Sequence, residues 1–313
     1  MNVVYSLDDL RYDRPVALAI GTYDGVHRGH RYMLGQARER AREQGLAFVI
    51  ITLDPAPALV LRPGLADYQI TARDLKVRLL STLDPDVLAV LRFTRAFAAL
   101  SAREFIDRLE EGLDIADWWM GDDFHFGHDR EGGIPYLMER ATESGFAVHV
   151  VARRGTEAAA PDVSSSGIRD AIHAGDMRAA NAMLGRPFEL TGPVAHGEKR
   201  GRTLGYPTAN VDIPPEQIVP LSGVYAGIAE LPGERYAAAV SVGTNPHFNG
   251  FKTTVEAYLL DFDRDIYGQE LRVQFVERLR EQARFEGLDP LLAQMARDVA
   301  RTRELMTPLL AHG

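Results

Sequence analysis

Two histidines three residues apart enclose a glycine in Gly21-Thr22-Tyr23-Asp24-Gly25-Val26-His27-Arg28-Gly29-His30, directly after the apolar run Val16 to Ile20. The residues that follow are patterned as a helix. The pair therefore falls at a helix N-terminus, where two imidazoles and the unbonded N–H groups of the first turn can surround one anion. Gly29 keeps that backbone clear of side-chain bulk, and the residue set suits a nucleotide phosphate. A second segment, Val163-Ser164-Ser165-Ser166-Gly167-Ile168-Arg169, offers similar chemistry. In a helix beginning near Ser165, Ser165 and Arg169 share a face at i and i+4, so a hydroxyl, free N–H groups and a guanidinium converge. In Gly201-Arg202-Thr203-Leu204-Gly205-Tyr206-Pro207-Thr208-Ala209-Asn210, the Thr208 hydroxyl and Asn210 amide lie two residues apart, on one side of a strand. They are hard oxygen donors for Mg²⁺ or partners for phosphate. Glu256 lies in the strand-like stretch Thr254 to Phe262, on the face of Tyr258, Leu260 and Phe262, where a carboxylate can take the proton of an attacking alcohol.

These motifs resemble a known family. The histidine segment is close to GxFDGVHxGH, the signature of the HxGH nucleotidyltransferases, and with Asp-Gly-Val ahead of the first histidine it resembles the bifunctional riboflavin kinase/FAD synthetases. The segment from Gly121 to Gly132 is similar to that family's VGxDFxFGxxRxG block at Gly121, Asp123, Phe124, Phe126, Gly127, Arg130 and Gly132. Pro207 to Asn210 is the PTAN motif of riboflavin kinases, and Gly223-Val224-Tyr225-Ala226, Val255-Glu256 and Leu279-Arg280-Glu281 follow in the family's order. The resemblance implies two reactions with ATP as co-substrate: riboflavin to FMN, and FMN to FAD with release of pyrophosphate. It implies that Gly21, Asp24, His27, Gly29 and His30 meet the ATP phosphates, and that Ser164, Ser165 and Arg169 meet the pyrophosphate. Asp123, Phe124, Phe126, Gly127 and Arg130 are then expected at the flavin. In the second half it implies Gly201, Arg202, Gly205, Thr208 and Asn210 for ATP and its Mg²⁺, Glu256 as the base on the riboflavin 5′-hydroxyl, and Arg280 for flavin. Adenylyl transfer begins from a phosphate that is already an anion, so alignment and neutralisation of charge by His27, His30, Arg169 and Mg²⁺ should carry it. Phosphorylation of an alcohol gains from the carboxylate as well.

The elements that position these residues fall into two groups. Apolar runs at Val16 to Ile20, Ala47 to Leu53, Val87 to Leu91, Trp118 to Gly121 and Phe146 to Val151 alternate with helix-periodic stretches, which predicts an α/β domain with a parallel sheet and flanking helices over 1–185. Ser101 with Glu104 reads as a capping box, and Gly45 as the end of the helix that follows the histidines. Past Gly185, strand-like pieces at Glu189 to His196, Val224 to Ala229, Tyr236 to Val242, Thr254 to Phe262 and Leu271 to Val276 follow one another without helices. They predict a small antiparallel β-barrel over 186–313. A closing helix from Pro290 to Leu310 is expected to turn Leu291, Leu292, Met295, Val299, Leu305 and Leu309 inward.

Composition narrows the class. The chain has 313 residues, 46% hydrophobic and 25% charged, enough for two cores at roughly 100 to 200 residues per domain. A net charge of −9 argues against a general binder of nucleic acid or anionic membrane, and without cysteine there is no disulfide or thiolate metal site. The expectation is a cytoplasmic enzyme, monomeric or a weak homo-oligomer. A metal-dependent hydrolase built on His27-x-x-His30 and His125-x-x-His128 would leave the second-half motifs unexplained, and no HExxH occurs. One departure stands out: where the family has Phe-x-Pro-His-Pro, this chain has Leu53-Asp54-Pro55-Ala56-Pro57, and Ser166 and Gly167 replace a threonine and often an arginine. An imidazole is missing near the nucleotide. The adenylyl step is therefore expected to lag the kinase step, with His125 or His128 as candidate substitutes.

Overall fold

A computed structural model describes residues 1–152, 163–196, 205–247 and 250–311. The chain forms two compact units, Met1–Ser165 and Ser166–Gly313.

The first unit is built on six parallel strands, β1 (Asn2–Val4), β2 (Val16–Gly21), β3 (Ala47–Asp54), β4 (Val87–Arg92), β5 (Ile115–Gly121) and β6 (Ala147–Val151), in the order β1-β4-β3-β2-β5-β6. Helices α1 (Arg28–Gln44), α2 (Pro57–Leu61), α3 (Arg73–Ser81), α4 (Arg95–Ala98), α5 (Ala102–Glu110) and α6 (Ile134–Ser144) connect them. Both faces of the sheet are covered, which is why its central strands read as unbroken apolar runs. Leu18 and Ile20 join Val49, Ile51, Trp118 and Met120 on the face that packs Phe105, Ile106 and Leu137. Ala17 and Ala19 point the other way, and their small size admits Met33, Leu34 and Ala37 of α1 beside Leu75 and Leu79 of α3. The chain leaves β2 toward β3 on one side and β5 toward β6 on the other, so the loops after β2 and β5 diverge. That switch point opens a crevice at the strand ends, where ligands of such sheets sit. The expected caps are present: Ser101 and Glu104 form a full capping box, and Gly45 ends α1 at φ 66°.

Helices α7 (Ser165–His173) and α8 (Met177–Leu184) lie around the division. The expected boundary was residue 185, whereas the compact units divide at Ser165/Ser166 and place α8 and nearly all of α7 with the barrel. Asn181 explains the difference, because its side chain accepts from the Phe188 N–H at 2.7 Å and donates to the Phe275 carbonyl at 2.9 Å. Periodicity identifies a helix, not the core it joins.

The second unit is a closed antiparallel barrel of β7 (Phe188–Ala195), β8 (Ala209–Val211), β9 (Gly223–Leu231), β10 (Glu234–His247), β11 (Gly250–Leu259) and β12 (Glu270–Arg280), in the order β10-β11-β8-β7-β12-β9. Gly233, at φ 78°, makes the tight turn between β9 and β10. Helix α9 (Leu288–Ala311) covers β9 and β10, with Met306 against Ala226, Ile228 and Ala237. Its most buried line runs through Asp298, Thr302 and Met306, while Leu309, expected inward, is 45% exposed. No helix among the described residues is long and apolar enough to cross a membrane.

Candidate active sites

The loop leaving β2 is held in a costly shape. Tyr23 and Val26 adopt left-handed backbone angles (φ 47° and 40°) on either side of Gly25, and Val26 is fully buried. Such conformations cost on the order of 1–3 kcal/mol each and persist only where neighbours fix them. Here the Asp24 carboxylate accepts the N–H groups of Ile70 and Thr71, each at 3.0 Å, and the Thr71 hydroxyl accepts the Gly25 N–H at 2.7 Å. The Thr52 hydroxyl donates to the Thr22 carbonyl and the Ser165 hydroxyl to the Asp24 carbonyl. Asp24 is 2% exposed, and its carboxylate shapes the loop. The two glycines are packing requirements: a Cβ on Gly21 would lie 2.7 Å from the Tyr23 ring, and one on Gly29 3.2 Å from the His27 ring.

His27 is the N-cap of α1, and its Nδ1 accepts the His30 N–H at 3.2 Å. The two rings stack with centroids 3.5 Å apart. Burial, then His27, then Lys76 hold the His30 imidazole well below the ordinary histidine range. The His30 ring thus meets an anion as an N–H donor rather than as a full charge. The charge nearby belongs to Lys76, which the sequence reading passed over. It is fully buried at the start of α3; its Nζ donates to the Leu53 carbonyl at 3.0 Å and stands 3.8 Å from the Asp54 carboxylate. Its one sequence signal is a lysine on the same buried helix face as Leu75, Leu79 and Leu80. Ala56, in the place of the missing imidazole, is 2% exposed and caps α2 without a side-chain bond.

The segment after β5 divides by burial. Phe126 sits in the core against Phe105, Trp118 and Tyr136, and it pairs with Gly132 as an isolated bridge. A Cβ on Gly132 would strike the Phe126 ring at 2.6 Å, and one on Gly127 would strike the Ala102 backbone at 2.6 Å. Phe126, Gly127 and Gly132 therefore build the loop, whereas Asp123 and Arg130 are exposed and Phe124 partly so. Arg130 donates to His125 Nδ1 at 3.0 Å, and His128 stands 3.4 Å from Asp129. Helix α7 begins at Ser165 as expected, with Ser164 just ahead of it; Arg169, one turn in, belongs to the second unit.

In the barrel, Gly201 and Arg202 lie outside the described residues, and Gly205 takes φ 82° ahead of β8. The Thr208 hydroxyl donates to a Glu256 carboxylate oxygen at 3.3 Å, and Asn210 stands directly opposite Glu256 in the β8–β11 register. Val255, Ala257 and Leu259 are buried while Glu256 and Tyr258 stay partly open, with Tyr206 edge-on to Tyr258 at 5.3 Å. Hydroxyl, amide and carboxylate oxygens gathered in this way fit a hard divalent cation that takes its remaining ligands from phosphate and water. Arg280, expected at the flavin, ties β12 to α9. Its Nε and Nη2 donate to the Asp298 carboxylate at 2.9 and 2.7 Å.

A family model described as FAD synthetase matches residues 9–167, and one described as riboflavin kinase matches residues 184–306. A bifunctional riboflavin kinase/FMN adenylyltransferase of Pseudomonas fluorescens is 38% identical, over 98% of this chain and 99% of that relative. A protein of the same description from Escherichia coli (strain K12) is 36% identical over 92% of this chain and 91% of its own. A crystal structure described as a macrolide-efflux protein from Streptococcus pneumoniae matches with a TM-score of 0.84 at 30% identity, over 96% of this chain and 98% of that one.

Proposed function

The chain belongs to the family of bifunctional riboflavin kinase/FMN adenylyltransferases, and we propose that its two sites divide the two reactions between the units. It phosphorylates riboflavin to FMN and adenylylates FMN to FAD, using ATP and a divalent metal in both steps. In the barrel, the riboflavin 5′-hydroxyl attacks the ATP γ-phosphorus, its proton passes to Glu256, and ADP leaves. The observation that carries this assignment is Glu256 bonded to Thr208 and paired with Asn210, a base beside oxygen donors. Thr208 and Asn210 would hold Mg²⁺, which when bound offsets phosphate charge. In the first unit, the FMN phosphate attacks the ATP α-phosphorus and pyrophosphate leaves. His27 and His30 donate to the phosphates at the α1 N-terminus, Ser164 and Ser165 serve the pyrophosphate, and Asp123, Phe124 and Arg130 border the flavin. We place the enzyme in the cytoplasm as a monomer or weak homo-oligomer.

Chromatography of the products formed from riboflavin, ATP and Mg²⁺ tests the assignment. FMN and then FAD are expected, neither forming once divalent ions are removed and both returning with Mg²⁺ alone. Full activity without any divalent ion, or a requirement for zinc, would overturn the metal assignment.

A further inference from the structure

Polar groups continue past Glu256 on the side of the barrel site away from Thr208 and Asn210. Directly opposite residues of neighbouring antiparallel strands share a sheet face, with Cβ atoms roughly 4.5–5.5 Å apart. Asn210 of β8 stands opposite Glu256 of β11, and Glu256 stands opposite Ser241 of β10. The three form one row with the carboxylate in the middle. One step along the same face the sheet turns apolar, where Tyr258 and Ala226 pack in the cluster that Met306 of α9 joins.

The segment after β12 brings a second polar side chain to Ser241. Gln282 Nε2 donates to the Ser241 hydroxyl at 2.9 Å and to the Val242 carbonyl at 3.0 Å. A carbonyl only accepts, so the amide nitrogen must face β10, which leaves Oε1 for other donors. Ser241, accepting from Gln282, keeps its own proton to donate. The pair thus presents one donor and one acceptor beside the base. Gly243, two residues on from Ser241, adds no side chain; even a Cβ there would stand 3.7 Å from Gln282 Nε2 and from Thr254 Oγ1, so room remains next to the pair. We propose that Ser241 and Gln282 bind the hydroxyls of the ribityl chain and thereby select a flavin that carries a polyol. The proposal rests on reading Glu256 as the base, with the metal and phosphates at Thr208 and Asn210. Phosphates on the β8 side of that base and an in-line attack require the alcohol to enter from the other side, and that side is β10. With the 5′-hydroxyl at Glu256, the hydroxyls on the next carbons lie within about one strand spacing, roughly 4.8 Å, of it. Each of them both donates and accepts, which the Ser241 proton and Gln282 Oε1 answer. The Val242 carbonyl alone would anchor Gln282, so a hydroxyl at 241 is not needed to hold the segment.

The test compares wild type, S241A and Q282A as full-length enzymes on two substrates. One is riboflavin; the other is the same flavin with an unbranched five-carbon chain that keeps the terminal alcohol and lacks the other three hydroxyls. In each variant kcat/KM for riboflavin phosphorylation should fall about three- to tenfold, the worth of one neutral hydrogen bond, with KM for ATP changed less than about twofold. The analogue should lose nothing, so the preference for riboflavin narrows by the same factor. Should the analogue not be turned over, its inhibition constant against riboflavin takes the place of kcat/KM and should be alike in all three enzymes while KM for riboflavin rises in the variants. Equal losses on both flavins, or no loss on riboflavin in S241A, overturn the proposal. Undiminished FMN formation by E256Q would overturn the reading of Glu256 instead.

Discussion

The two units handle the same co-substrate with opposite economies of structure. In the parallel-sheet unit, groups from the end of β2, the end of β3, the start of α3 and the first turn of α1 are locked into one strained loop. In the barrel, one short strand and its neighbour bring Thr208, Asn210 and Glu256 together without backbone strain at those residues. The difference follows from the nucleophile. A phosphate needs only to be aligned and met by donors, so geometry carries the first reaction, whereas an alcohol must lose a proton, so one side chain carries much of the second.

The sharpest way to break this contrast is E256Q. Loss of a general base is typically worth about 10²–10⁴ in rate, so FMN formation should collapse to that extent while conversion of supplied FMN to FAD continues. Loss of both activities in a folded protein would end the two-site assignment. H30A is the mirror experiment: removing one preorganised donor costs about 10²–10³, and here the loss should fall on FAD formation with FMN formation intact.

Ala56 sharpens the contrast from the other side. A wild-type time course should show FMN accumulating before FAD, and A56H should speed FAD formation by roughly tenfold at most, since a charge-assisted contact is worth about 1.5–3 kcal/mol and the buried site must also accommodate the ring. An unchanged FAD rate would show that Lys76 or another group already supplies what that histidine would. The smallest effect is on stability. Tyr23 stands where the family pattern has phenylalanine, and its buried hydroxyl has no hydrogen-bond partner among the described residues. Y23F should raise the melting temperature of the first unit by a few degrees, consistent with about 1 kcal/mol, leaving the barrel transition in place. Calorimetry showing no gain would mean that the hydroxyl is satisfied.

Much of this was legible in the sequence because regular burial writes regular patterns. The central strands, the barrel strands, the Ser101 cap and the α7 start all follow from periodicity and capping chemistry. What escaped was polar and buried at once. Lys76, Asp298 and Thr302 each read as solvent-facing by residue type, and each is buried because something distant in sequence meets it or packs over it. Strand β1 is only three residues long and is defined by its pairing with β4, which no local pattern reveals. Phe126 and Gly127 show that a motif segment also holds residues that shape its own loop, Phe126 in the core and Gly127 against the Ala102 backbone.

The tie between Arg280 and Asp298 sets a rule for the reading frame. A stop codon between positions 282 and 298 would leave all six barrel strands encoded, yet Arg280 would lose the Asp298 carboxylate, and Ala226 and Ile228 would lose the cover that Met306 supplies. Nonsense alleles in the final exposed-looking stretch should therefore behave as kinase-null alleles with an insoluble product rather than as harmless trims, even though no residue assigned to either reaction lies there.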